Sequence, residues 1–236
     1  MQNIEFFPES ERWKSNLWWL KSNFSFSFAN YYNPHRMGFG TLRVINNDTV
    51  QAGTGFGMHP HDNMEIVTIA LSWSLTHKDS MGNTKTLIPG EVQSMSAGTG
   101  VFHSEMNDGT DNWEFFQVWI ETRKRNILPQ YDQKTFLESE RKNTFQLLAG
   151  PQKDKKNVLI NQDAFISRCT LESQKTLTYS KKREENGIYI MNIFWEIIIE
   201  NTTLKYRDAL WIIEKNTIEI TALIDSDFFV FEVPMK

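Results

Sequence analysis

Three of the five histidines in this 236-residue chain fall in two short motifs, His59-Pro60-His61 and His103-Ser104-Glu105. Each motif is an i, i+2 pair, and on a β-strand residues two apart point to the same face. Two such strands facing the inside of one barrel would bring three neutral imidazoles and one carboxylate to a point. That donor set suits a divalent first-row metal, with Fe(II), Mn(II), Ni(II), Cu(II) and Zn(II) all compatible. Two octahedral positions would stay open for water, O2 or a substrate. A lone histidine is more often a satisfied core or surface residue, and it is the pairing that lifts these above that reading. The glycines of Gly53-Thr54-Gly55-Phe56-Gly57 and Gly98-Thr99-Gly100 permit tight turns that aim both strand starts at a barrel mouth. Neither segment precedes a helix start, which disfavours a phosphate loop. His77 reads as a hairpin end, His35 as a loop residue and Cys169 as an inert thiol. Ser104 lacks the Gly-x-Ser-x-Gly turn of a hydrolase nucleophile.

The elements that must position these residues are strands. Phe24-Ser25-Phe26-Ser27-Phe28 alternates ring and small polar residue with period 2, the pattern of a strand with one buried face. Further strands are expected at Thr41 to Ile45, Met64 to Trp73, Val101 to Met106, Trp113 to Glu121, Lys175 to Tyr179, Ile188 to Ile199, Leu210 to Ile213, Thr217 to Leu223 and Asp227 to Val233. Turn chemistry separates them at Asn46-Asn47-Asp48, Asp79-Ser80-Met81-Gly82-Asn83, Pro89-Gly90, Asn107-Asp108-Gly109 and Glu184-Glu185-Asn186-Gly187. Many short strands with close turns mean an all-β barrel or sandwich. A polar stretch from Glu121 to Asn157 reads as the connection between two modules, expected at residues 1–131 and 132–236. A weak repeat supports two modules: Glu65 through Trp73 to Gly90-Glu91-Val92 has a counterpart in Gly187 through Trp195 to Arg207-Asp208-Ala209.

Composition narrows the function classes. Hydrophobic residues make up 40% and aromatics 13%, which excludes disorder as the main state. The 25 Lys and Arg against 29 Asp and Glu leave a net charge of −4, which disfavours direct nucleic-acid binding. The basic runs Arg123-Lys124-Arg125, Lys153 to Lys156 and Lys181-Lys182-Arg183 read as solvated loops. The apolar run Ile188 to Ile199 is broken by Asn192 and Glu196 and is shorter than the roughly 20 residues of a membrane span. A single cysteine permits no disulfide within the chain, and Met1-Gln2-Asn3-Ile4-Glu5 lacks a signal-peptide pattern, so a cytoplasmic monomer is the expectation.

The motifs carry a family resemblance. Gly53-x5-His59-x-His61-x3-Glu65 resembles the first cupin motif. Gly90-x5-Ser96-Ala97-Gly98 followed by His103-x3-Asn107 resembles the second, with Ser96 at the usual proline position. The ending His103-Ser104-Glu105 resembles the pirins, and Met58-His59-Pro60-His61-Asp62-Asn63-Met64-Glu65-Ile66 and Asp79-Ser80-Met81-Gly82-Asn83 are similar to their bacterial branch. The likeness is strong from about Leu17 to Tyr131 and faint beyond. It implies a bicupin, two face-to-face β-barrels with one metal in the N-terminal barrel; because every histidine lies at or before His103, the second is expected to bind none. Matching positions make His59, His61, His103 and Glu105 the ligands and give Glu65 a supporting or pocket role. Three positions depart from the family pattern: Trp73 stands where a glycine is common, Trp195 stands at the corresponding turn of the second module, and Phe24 stands where a histidine is frequent.

The resemblance implies quercetin 2,3-dioxygenase activity, in which Glu105 acts as the base on a flavonol hydroxyl and O2 adds to the ring. Iron is the first expectation for the metal, with Ni, Co, Mn, Cu or Zn as alternatives. The alternative readings are a metal-binding regulator that contacts a protein partner and a sugar isomerase. An apolar slot for an aromatic molecule is favoured by Phe56, Met58, Met95 and the strand Trp113 to Trp119 with Gln117, although the same residues serve equally as barrel core.

Overall fold

The computed structural model of the chain describes residues 3–152 and 156–235, so the basic run at Lys153 to Lys156 lies mostly outside the described residues. Apart from two short 3-10 turns, Glu9–Glu11 and Glu138–Arg141, the assigned elements are all strands. They form two barrels. In the first, a seven-stranded sheet runs in the order Gln130–Thr135, Glu91–Ser96, Met64–Ser72, Trp113–Glu121, Leu42–Val50, Leu20–Phe24, Trp13–Asn16. It closes on a four-stranded sheet of Gly55–His61, Val101–Met106, Leu75–Asp79 and Thr84–Leu87. The second barrel repeats the plan. Its large sheet is Ile4–Phe7, Ala209–Ile212, Asn186–Phe194, Ser226–Pro234, Phe165–Leu171, Gln146–Gly150 and Val158–Leu159, and its small sheet is Thr176–Ser180, Thr217–Ala222, Ile197–Ile199 and Thr202–Leu204.

The large sheets pack against each other, which explains the sequence pattern of their central strands. A strand buried on both faces reads as a continuous apolar run. Along Met64–Ser72, Val67 and Ile69 join the core between the barrels, while Ile66 and Ala70 face the first barrel's interior. Along Trp113–Glu121 the same parity sends Phe116, Val118 and Ile120 to the interface and Phe115 inward. The second barrel contributes Tyr189, Met191, Phe229, Phe231 and Val233 to that shared core. Each such side chain stabilises the pair of barrels by about 1.5–3 kcal/mol relative to exposure.

Several expectations are corrected here. Asn46-Asn47-Asp48 is no turn: all three residues are buried in the middle of Leu42–Val50, with their polarity directed into the barrel interior and the interface. The strand expected over Phe24 to Phe28 ends at Phe24, because beyond it the chain turns back, with the Ser27 N–H bonded to the Arg36 carbonyl and Phe28 bridging Tyr31. The division at 131/132 falls inside the strand Gln130–Thr135, which pairs with Glu91–Ser96 in the first barrel. The N-terminal strand Ile4–Phe7 is hydrogen bonded into the second. Trp73 and Trp195 each follow a nine-residue strand with a left-handed backbone (φ 55° and 70°), and their side chains are exposed. Trp195 therefore does not fill the second barrel. Ile197, Ile199 and their neighbours do.

One glycine fixes the seam. Gly40 has φ +53°, and a β-carbon there would lie 2.2 Å from the carbonyl oxygen of Pro234 in the second barrel. The left-handed backbone and the overlap together should make Gly40→Ala lose about 2–4 kcal/mol of stability. Urea unfolding followed by tryptophan fluorescence measures this, and a loss below about 1 kcal/mol would contradict the tight seam.

Candidate metal centre

The strand Val101–Met106 runs through the centre of the small sheet, with Gly55–His61 on one side and Leu75–Asp79 on the other. His103 lies opposite His59, and Glu105 lies opposite Phe56. One residue separates 103 from 105, whereas two separate 56 from 59, so Gly55–His61 carries a bulge at Gly57 and Met58. The bulge resets the alternation of that strand and puts Phe56 on the side of His59. Phe56 accordingly packs against the first barrel's core with its ring centre 6.4 Å from that of His59, while Met58 is exposed. The three imidazoles converge: ring centres are 4.4 Å apart for His59 and His103, 4.8 Å for His59 and His61, and 4.9 Å for His61 and His103. One ring nitrogen from each lies within 4.8 Å of the others.

The protonation pattern suits a cation. His59 Nδ1 donates to the Gly57 carbonyl at 2.8 Å, which leaves Nε2 free for the cluster. Burial and the neighbouring His59 hold His61 down at about 4 and His103 at about 2, so both rings are neutral at physiological pH. His103 is 1% exposed and neither of its nitrogens has a hydrogen-bond partner.

Glu105 sits on the same strand, fully enclosed. Gln93 Nε2 donates to its Oε1 at 2.9 Å, Gln117 Nε2 to its Oε2 at 3.1 Å, and the Thr68 hydroxyl reaches Oε1 at 3.3 Å. These supports are themselves held, since Tyr131 donates to Gln93 Oε1 at 3.0 Å and Thr68 Oγ1 lies 2.9 Å from Gln117 Oε1. Burial raises the Glu105 carboxyl to about 7 against the pull of these donors. Glu105 groups with His103 and His77, whose donor atoms lie within 4.8 Å of one another, and not with His59 or His61. His77 is thus no hairpin end. It is completely buried, lies opposite Glu105 in the neighbouring strand, and stacks on Tyr131. The signal for it was present in His77-Lys78-Asp79, a third i, i+2 pair of metal-ligand types.

The remaining expected residues divide by strand parity. Met95 and Gln117 face the first barrel's interior, Met95 beside Ile66, Val101 and Trp119. Glu65 faces the other way and takes no part in the cluster. Its Oε2 accepts from the Ser96 hydroxyl at 2.5 Å and from the backbone N–H of Asn161 in the second barrel at 2.9 Å, so it ties the barrels together. Phe24, the residue in place of a frequent histidine, begins an aromatic chain: Phe24 meets Phe28, Phe28 meets Trp119, and Trp119 meets the edge of His61 at 4.9 Å. A cleft of about 800 Å³ lies elsewhere, at the seam of the barrels, lined by Leu71, Phe136, Arg141, Arg168 and Trp195 among others and by none of these histidines.

The sequence pattern of the family described as Pirin matches residues 7–120, and that of the Quercetinase C-terminal cupin domain matches residues 147–233. A quercetin 2,3-dioxygenase of Escherichia coli (strain K12) is 38% identical over 226 residues, covering 95% of this chain and 96% of the relative. The chain belongs to the pirin family. A pirin-like protein of Caulobacter vibrioides is 36% identical, covering 91% of this chain and 92% of the relative. The crystal structure of the bacterial pirin YhhW from Escherichia coli, in complex with nickel(II), superposes with a TM-score of 0.92 at 36% identity, over 98% of this chain and 99% of that one. The two barrels are therefore the two cupin domains of a pirin, and the imidazoles and Glu105 line the interior of the first.

The grip on Glu105 gives a prediction. Gln117→Leu keeps the side-chain size but removes the donor to Oε2. Loss of such a supporting contact lowers metal affinity about 10–100-fold. Calorimetric titration with Ni(II) reads this, and an unchanged affinity would contradict a role for Gln117 in holding the carboxylate.

Proposed function

We propose that this pirin is a metal-dependent oxygenase of the quercetin 2,3-dioxygenase type, with one divalent transition metal held by His59, His61, His103 and Glu105. The observation that carries the reading is the convergence of three imidazole rings beside a buried carboxylate, with both His103 nitrogens unpartnered in the barrel interior. Three imidazole nitrogens and a carboxylate fit Fe, Mn, Co, Ni, Cu or Zn equally in ligand type. Iron remains the proposed native ion, and nickel is the ion present in the related pirin from Escherichia coli. The metal supplies Lewis-acid activation of a deprotonated hydroxyl and of O2.

The chain's own residues do the rest. Glu105 is the proposed base: it takes the proton of the flavonol hydroxyl, and its burial raises its affinity for that proton. Gln93 and Gln117 hold the carboxylate while it does so. Trp119 and Phe56 offer apolar surface to a flat aromatic ring, and the aromatic chain through Phe28 walls the His61 side. The relative named quercetin 2,3-dioxygenase, 38% identical across nearly its whole length, supports a flavonol-like substrate with O2 as the second.

The test is oxygen uptake with quercetin by protein loaded in turn with Fe, Mn, Ni, Co or Cu. Turnover is expected with at least one, and Glu105→Gln should lower it about 100-fold or more while retaining part of the metal. Undiminished turnover in that variant would remove Glu105 as the base. No uptake with any of the five ions would replace this reading with a metal-binding regulator that acts through a protein partner.

A further inference from the structure

His77 has no place in the four-ligand set, yet its surroundings are those of a ligand. The ring is 0% exposed, and its Nε2–H donates to Asp79 Oδ2 at 3.1 Å. That bond fixes the tautomer and leaves Nδ1 as a lone pair, and Nδ1 has no partner. A histidine kept only for packing would have both nitrogens satisfied or one in water. The orientation is firmly imposed. Asp79 Oδ1 accepts the backbone N–H groups of Met81 and Asn83, its Oδ2 accepts the Asn83 amide at 2.8 Å, and the His77 ring lies stacked on Tyr131 with centres 4.7 Å apart. A carboxylate behind an imidazole is the arrangement that orients and strengthens histidine ligands.

The strand register places the residue. His77 is opposite Glu105 and Asp79 is opposite His103, so His77 flanks the central strand on the side away from His59 and His61. One donor atom each of His77, His103 and Glu105 fall within 4.8 Å of one another, and all three residues are buried. We propose that His77, His103 and Glu105 form a second, inner position for a divalent transition ion, deeper in the barrel than the set that includes His59 and His61. Two imidazoles and one carboxylate, with positions left open, are a set that suits Fe(II) in particular. The inner and outer sets share His103 and Glu105, so one chain holds one ion at one position or the other. The proposal rests on the metal reading above and extends it to a residue outside that set.

The two readings separate in one experiment, equilibrium dialysis of the full chain against Ni(II). The unaltered chain should bind one ion. The His59→Ala, His61→Ala variant keeps the inner set whole and should still bind one ion, more weakly than the unaltered chain by more than the roughly 10–100-fold expected for a lost supporting residue. Adding His77→Phe, which keeps a ring against Tyr131, should reduce binding to background. X-ray absorption of the Ni(II)-loaded double variant gives a reading that does not depend on the folding of the triple variant: two imidazoles are expected, and one would overturn the inner position. A double variant that binds no more than the triple would overturn it also. No binding by the unaltered chain would overturn both readings, whereas binding by the unaltered chain alone would overturn only this one.

Discussion

A neutral imidazole buried in a protein interior with neither nitrogen hydrogen bonded is costly, and His103 is such a group. Leaving a buried polar group without a partner costs about 1–3 kcal/mol, and the surrounding residues offer His103 no relief. Its nearest polar neighbours are the imidazoles of His59 and His61 and a carboxylate already held by two amide donors. A cation with affinity for nitrogen would relieve His103 together with the donors grouped around it. The bulge in Gly55–His61, the glutamine grip on Glu105 and the Asp79 contact to His77 each fix the orientation of a donor around His103.

The second barrel makes the contrast that gives this polar interior its meaning. Built on the same two-sheet plan, it fills its lumen with Cys169, Leu171, Ile188, Ile190, Ile197, Ile199, Ile218 and Ile220. The Cys169 thiol is pushed up to about 12 by burial, so it offers no thiolate. A packed apolar lumen is a rigid support, and through the shared core it braces the sheet that carries Thr68, Gln93 and Gln117. Glu65 and Asn161 lock the register of the two barrels at the level of that sheet. Two barrels on one plan thus differ in their interiors, one lined by imidazoles and a carboxylate and the other packed with apolar side chains.

Much of this was legible in the sequence because strand geometry converts spacing into direction. His59-Pro60-His61 and His103-Ser104-Glu105 could be read as same-face pairs, and the strands Val101–Met106 and Trp113–Glu121 were expected with the bounds observed. What was not legible depends on tertiary partners. The bulge that separates Phe56 from Met58 arises only when the strand pairs with its neighbour. Asn46-Asn47-Asp48 has the composition of a turn, and only burial on both faces of a central strand explains it. Glu65 lies in the first motif and was expected to support the site or its pocket, yet strand parity turns it toward the second barrel. His77-Lys78-Asp79 carried the same signal as the other pairs, but its nearness to a turn concealed the register that sets it opposite Glu105.

The central claim is that the first barrel's interior is a metal centre organised around His103. Anomalous diffraction at the nickel edge from crystals soaked in Ni(II) tests it most directly. The account predicts one strong peak within bonding distance of a His103 ring nitrogen and of Glu105, with none in the second barrel. A peak confined to surface residues, or an interior that stays without one at saturating Ni(II), would contradict it.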